Sequence, residues 1–204
     1  MPKLSIILAT HDGQGRIKRM LDSIQAQTFK DYELIVVCDA CTDNTAVVAR
    51  AYTDKVIEVN YRNCGPARNA GLDVATGEWI TVVDDDDWYL HEFALEQLAE
   101  QLDDSDVVNY GFIWKYVGYA RPVRPGGYYW PAPWTRCVRR ESLGKARFTE
   151  EYPDDLNFLS ALLDNRFLKI KNWDMPIYYY NYFRPGSITD IMHKAGREPD
   201  LRRT

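Results

Sequence analysis

The stretch GEWITVVDDDDWYL sets four carboxylates, Asp84, Asp85, Asp86 and Asp87, directly behind an apolar run from Ile80 to Val83. Like charges in succession repel, so such a run needs a cation or separate partners for its members. In extended backbone alternate side chains face opposite ways, which pairs Asp84 with Asp86 and Asp85 with Asp87. A D-x-D pair suits a hard divalent cation, with water and phosphate oxygens filling the remaining coordination sites. The competing reading is that Asp86 or Asp87 caps a helix starting near Tyr89, which accounts for one carboxylate and not for four.

Cys38 and Cys41 form a C-x-x-C between the apolar run Leu34 to Val37 and a helical pattern, where a thioredoxin-like redox pair would sit. Cys64, Cys137 and the histidines His11, His91 and His193 show no zinc-finger spacing. Reduced thiols in a cytoplasmic protein are therefore the expectation. The net charge of -5 is unevenly spread. Residues 1–110 carry net -11, residues 111–150 carry net +6, and the rest is balanced. The basic stretch (Lys115, Arg121, Arg124, Arg136, Arg139, Arg140, Lys145, Arg147) reads as a solvated face or as a contact for an anionic partner.

The elements that position these groups alternate strand and helix through the first half, the pattern of a parallel sheet covered by helices. LSIILA (4–9), YELIVV (32–37), KVIEV (55–59) and WITVV (79–83) read as strands. Ile17, Met20, Leu21 and Ile24 repeat at helical spacing, and Thr42 or Asp43 is placed to cap a helix through Val47, Val48 and Ala51. Gly65-Pro66 reads as a turn before a short Ala-rich helix, and Leu95, Leu98, Ala99 and Leu102 mark another helix. Beyond Ser105 the pattern turns aromatic and irregular. One helix is expected over 152–164 with Leu156, Leu159 and Leu163 inward, followed by strands FLKIKN and PIYYYNYF and a polar tail at 191–204. In an open parallel sheet ligands bind at the carboxyl ends of the strands, which is where the Asp run emerges.

In order and spacing, SIILATHD, QTFKDYELIVVCDACTDNT, GPARNAGLDVATGEWITVVDDDDW, WTRCVRRESL and EEYPDDLNFLSALL resemble the motifs of GT-A-fold glycosyltransferases of family 2. The resemblance implies one α/β domain: a mostly parallel, Rossmann-like sheet flanked by helices (1–110, nucleotide-sugar half) and a smaller mixed acceptor half (111–190). It implies inverting transfer from a nucleoside diphosphate sugar, UDP-sugar first among donors, assisted by Mn2+ or Mg2+. By that match Thr10 and Asp39 hold the nucleobase, Arg68 and Asn69 lie near the sugar-bearing phosphates, and Asp86 with Asp84 binds metal. Asp84 and Asp85 also serve ribose or metal-bound water, and Asp155 with Asp154 is the catalytic pair with Asp155 as base. Apart from the match, sugar rings stack on aromatic faces, and among the aromatics of the second half Trp134 is the candidate acceptor-site residue. The family's VDDGSTD reads VCDACTD here, which explains the C-x-x-C as a local variant. Arg184 stands for a common His in RPGSIT, and His193 is a further candidate for the donor site.

Two rival functions are a sugar-phosphate nucleotidyltransferase, for which HDGQGRIK is a poor phosphate loop, and a non-catalytic sugar-nucleotide or glycan binder. The apolar run at 4–9 is far short of the ~20 residues that cross a bilayer, so no stable membrane insertion is expected. The acceptor is expected to be a hydroxyl compound, with an anionic one suited to the basic stretch. Net acidity makes nucleic acid a minor candidate.

Overall fold

The computed structural model describes residues 1–116, 119–123, 132–164 and 168–181; the expectations for Arg124, Arg184, His193 and the tail lie outside them. Continuous apolar runs become β1 (Leu4–Thr10), β2 (Tyr32–Asp39), β3 (Val56–Val59) and β4 (Trp79–Asp84). They pair in parallel in the order β3-β2-β1-β4. Both faces of this sheet are covered, which is why the strands read as unbroken Val, Ile and Leu rather than as alternation. Helix α1 (Ile17–Gln25) buries Ile17, Met20, Leu21 and Ile24 against one face, as their spacing requires. Each such side chain contributes about 1.5–3 kcal/mol by leaving water.

The antiparallel strand β8 (Arg136–Arg139) continues the sheet from β4. Beyond it lie β6 (Val107–Tyr116), β9 (Ile170–Tyr180) and the short β5 (Trp88–Tyr89), with β7 (Tyr119–Val123) paired to β6. The two strands expected over 167–172 and 176–183 are, within the described residues, one, β9, which runs parallel to β6 and shifts register around Gly111. There a Cβ on Gly111 would stand 3.0 Å from the backbone of Met175 and Pro176, so the close approach favours glycine. No helix among the described residues is long and apolar enough to cross a membrane.

Four local expectations are corrected. Gly65-Pro66 is not a turn but lies in the first turn of α3 (Cys64–Val74), where the missing Pro N–H costs no helical bond. Asn63 caps this helix, its side chain accepting from the Gly65 N–H at 3.1 Å. Helix α2 (Thr45–Arg50) buries Thr45, Ala46 and Ala49 and leaves Val47 exposed. Asp87 caps no helix, since α4 (Ala94–Ala99) starts seven residues later. On α5 (Asp154–Leu163) the inward residues are Phe158 and Leu162, while Leu156 and Leu163 face out. Phe158 stacks on Phe148 at 4.2 Å, and that contact sets the rotation of the helix.

Candidate active site

Strands β1, β2 and β4 end side by side, with Ala9 opposite Asp84 and Thr10 opposite Cys38. The parallel register therefore delivers Thr10, Asp39 and the Asp run to one sheet edge. The run does not continue in extended form. β4 stops at Asp84, and Asp85-Asp86 make a turn before β5, so the expected alternation ends there and each carboxylate has its own surroundings.

Asp84 accepts from Arg68 Nη2 at 3.0 Å. Burial pushes its carboxyl up to about 7; Arg68 opposes that rise while Asp86 and Asp155 add to it. Asp85 faces away from Arg68, accepting from Arg16 Nε at 2.8 Å and from the Thr10 hydroxyl. Arg16 also donates to the carbonyls of Asp12 at 2.7 Å and His11 at 2.6 Å, which fixes the loop after β1. Asp87 is fully buried and accepts the backbone N–H of Asn181 at 2.8 Å through one oxygen; its other oxygen makes no hydrogen bond within 3.5 Å to the described residues. Burial, with Asp84 and Asp86 nearby, raises the Asp87 carboxyl well above the usual range. The turn is held from outside by Trp88, stacked on Tyr179 at 4.0 Å.

Arg68 stands on α3, one turn beyond its buried start. A Cβ on Gly65 would stand 2.0 Å from the Thr149 carbonyl, so glycine lets α3 approach the segment leading into α5. That approach brings Arg68 to the catalytic pair expected from the sequence. Its Nη1 donates to Asp154 at 2.6 Å and to Asp155 at 2.9 Å. One guanidinium thus gathers Asp84 from the end of β4 and Asp154 and Asp155 from the start of α5. Burial raises the Asp155 carboxyl, Arg68 opposes the rise, and Asp154 adds to it. Cys64 Sγ lies 3.7 Å from Asp154, its thiol pushed up to about 11 by burial.

Other expected site residues have protein partners. Asp39 accepts three backbone N–H groups, from Tyr61 at 2.7 Å, Arg62 at 2.9 Å and Asn63 at 2.8 Å, which orders the loop into α3. Asn69 pairs both ends of its amide with Phe148, donating to the carbonyl at 2.8 Å and accepting the N–H at 2.9 Å. Trp134 lies in the aromatic core, 2 % exposed, stacked on Tyr178 at 5.2 Å and against Tyr180 at 4.5 Å. Its ring is used for packing, so no face is offered to a sugar.

Arg139 and Arg140 of the basic stretch stand at the opposite end of β4. Arg139 pairs with Glu78 at 2.8 Å, and Arg140 donates to the Gly77 carbonyl at 2.8 Å, which takes both out of an acceptor surface. Arg136 is buried, and burial lowers its guanidinium to about 10. The C-x-x-C thiols are free; burial drives Cys38 up to about 12 and raises Cys41, the reverse of a redox-active pair. Sequence reasoning missed Arg16, whose signal was only a lone cation in the first turn, and Phe148, whose ring lies 5.3 Å from the Arg68 guanidinium.

Among the described residues one group of three side chains has ligand atoms within 4.8 Å of one another: Asp12, Cys41 and Asp43. Asp12 and Asp43 already cap their loops, accepting from the N–H of Thr42 at 2.6 Å and of Thr45 at 2.9 Å. The Asp run contains no such ready-made trio.

A parallel sheet extended by an antiparallel strand, with carboxylates from both halves meeting at its carboxyl edge, is the architecture of the GT-A fold. The solved structure of Staphylococcus aureus TarS 1-349 in complex with UDP-GlcNAc superposes at a TM-score of 0.76 and 27% identity, covering 92% of this chain and 60% of that one. The chain belongs to Glycosyl transferase family 2, whose sequence profile matches residues 5–156. It is 34% identical over 113 residues to an uncharacterized glycosyltransferase of Rickettsia typhi, covering 53% of this chain and 36% of the relative. It is 41% identical over 95 residues to the GalNAc(5)-diNAcBac-PP-undecaprenol beta-1,3-glucosyltransferase of Campylobacter jejuni, covering 43% and 30%. The chain thus spans about a third of the length of these two relatives.

Proposed function

We propose that the chain transfers a sugar from a nucleoside diphosphate sugar, a UDP-sugar first among candidates, to an acceptor hydroxyl with inversion, Asp155 acting as general base. The observation that carries this reading is the meeting of Asp84 with Asp154 and Asp155 on the single guanidinium of Arg68. Residues 1–110 supply the donor side and residues 111–190 the acceptor side. Asp155, half-buried and raised in pKa, keeps more basicity than a solvated carboxylate at a helix N-terminus would. In the proposed step its oxygen takes the acceptor's proton while the hydroxyl oxygen attacks the anomeric carbon. The bond to the diphosphate breaks on the opposite face and the diphosphate leaves with the electron pair, hence the inversion.

The family implies a divalent cation, and the residues present fit one. The donors are all oxygen, one Asp87 oxygen is buried with no hydrogen bond to the described residues, and mutual repulsion adds to the raised carboxyls of Asp84 and Asp87. Asp86 with Asp84 would hold Mg2+ or Mn2+, the remaining coordination coming from phosphate and water. When bound, such an ion neutralises the charge that develops on the leaving diphosphate. The four free thiols support a reducing, cytoplasmic setting. For the nucleotide, Asp85, Arg16 and Thr10 shape the floor of the base and ribose site.

The test is release of nucleoside diphosphate from a panel of sugar nucleotides with and without Mn2+. Release that depends on the metal and falls away in Asp86→Ala is expected. No metal-dependent release from any donor, with candidate acceptors present, would overturn the reading.

A further inference from the structure

Arg68 carries more partners than a phosphate ligand needs. Nη1 is shared between Asp154 and Asp155 while Nη2 holds Asp84, so one guanidinium is hydrogen-bonded to three carboxylates, with the buried Arg136 also acting on Asp155 through its charge. An Asp155 oxygen that accepts from a guanidinium is a poorer proton acceptor than one that does not. The base is therefore held back by the same side chain that faces the donor edge.

We propose that Arg68 is the positioning residue that makes the base available only once donor is bound: the arriving diphosphate draws the guanidinium off Asp155. This rests on the glycosyltransferase reading above. Two features of the structure support it. The stem of Arg68 is buried and its guanidinium lies over the Phe148 ring at 5.3 Å. Phe148 is itself pinned, by Asn69 on both backbone groups and by Phe158 at 4.2 Å. A fixed pedestal leaves the planar head, with its several donors, as the part that exchanges partners. A diphosphate offers that head more negative charge than one carboxylate and matches its fork geometry. Asn69 and Phe148 thereby acquire a role at one remove from the nucleotide.

Competition between Asp155 and diphosphate for one guanidinium has a thermodynamic signature, because removing a competitor tightens the other ligand. UDP is titrated calorimetrically in the presence of Mg2+ into the full chain, Asp155→Asn, Arg68→Gln and the double variant. Asp155→Asn is expected to lower the Kd for UDP about fivefold or more, the usual size of a site-to-site coupling. In the Arg68→Gln background the same change should move Kd by less than about twofold, since independent sites add and coupled ones do not. Where Arg68→Gln does not fold, Arg68→Lys keeps the charge without the fork, and the gain should shrink there also. An unchanged Kd in Asp155→Asn overturns the coupling. An equal gain in both backgrounds also overturns it, since that is the effect of removing a negative charge alone. Absence of UDP binding in the unaltered chain sinks the donor reading itself, a distinct result.

Discussion

The two ends of the parallel sheet treat buried carboxylates in opposite ways. At the amino end, Glu33 accepts from Thr76 N–H at 2.6 Å, Gly77 N–H at 3.0 Å, the Ser5 and Thr76 hydroxyls and the Lys55 ammonium. Burial alone would raise its carboxyl, but Lys55, Ser5 and Thr76 overcome that and hold it at about 2. At the carboxyl end, Asp84, Asp154 and Asp155 share one guanidinium, and Asp84 rises to about 7. Donors exceed acceptors at one edge and acceptors exceed cations at the other. The first arrangement stabilises the fold; the second costs stability, as crowded carboxylates at functional sites commonly do.

The largest effect expected is on chemistry. Asp155→Asn should reduce transfer by about 10²–10⁴-fold, the usual worth of a general base, while UDP still binds; steady-state rates and a UDP titration check this. Equal loss of rate and binding would remove Asp155 from the role.

Next in size is Glu33→Ala, expected to cost about 3 kcal/mol in urea unfolding, since a shift of that extent is worth 1.36 kcal/mol per unit and orphaned N–H groups add to it. The sign follows from the depressed carboxyl. Its stabilisation is complete above the unfolded value of 4.5 and is lost as pH falls toward about 2. Glu33→Gln should flatten that acid limb.

Asp84→Asn should act the other way. Because the folded carboxyl is raised, ionisation disfavours the fold progressively as pH climbs from 3.8 through about 7. The variant should therefore be about 1–2 kcal/mol more stable at pH 8 and unchanged below pH 4, a difference visible in thermal scans at the two pH values. A loss of stability at pH 8 would mean that the edge is not overcrowded. Smallest of all, iodoacetamide at pH 8 should leave Cys38 unmodified, as mass spectrometry of the folded protein would report, because its thiol stays protonated to about 12.

The same contrast explains what the sequence discloses. β1, β2 and β4 are legible because strands buried on both faces must be continuously apolar, and their carboxyl ends then locate Thr10, Asp39 and the Asp run. The acidic pair is found through the motif, but not its tie to Arg68, which joins residues 86 and 87 positions apart. Leu156, Leu159 and Leu163 form as good a helical stripe as Phe158 with Leu162. Only the Phe148 ring, met in three dimensions, selects between them. Asp87 reads as a cap because caps are local, whereas its partner Asn181 is 94 residues away. Trp134 reads as a sugar platform because aromatics serve both uses, and only packing against Tyr178 shows which one applies.

The crowded edge is expected to accept a dication together with a nucleoside diphosphate. The most direct measurement is the thermal midpoint of the unaltered chain with Mn2+ alone, UDP alone and both, alongside Asp86→Ala. The largest rise in Tm is expected when both are present, and its loss in Asp86→Ala. No rise with both, or a rise of equal size in the variant, would contradict it.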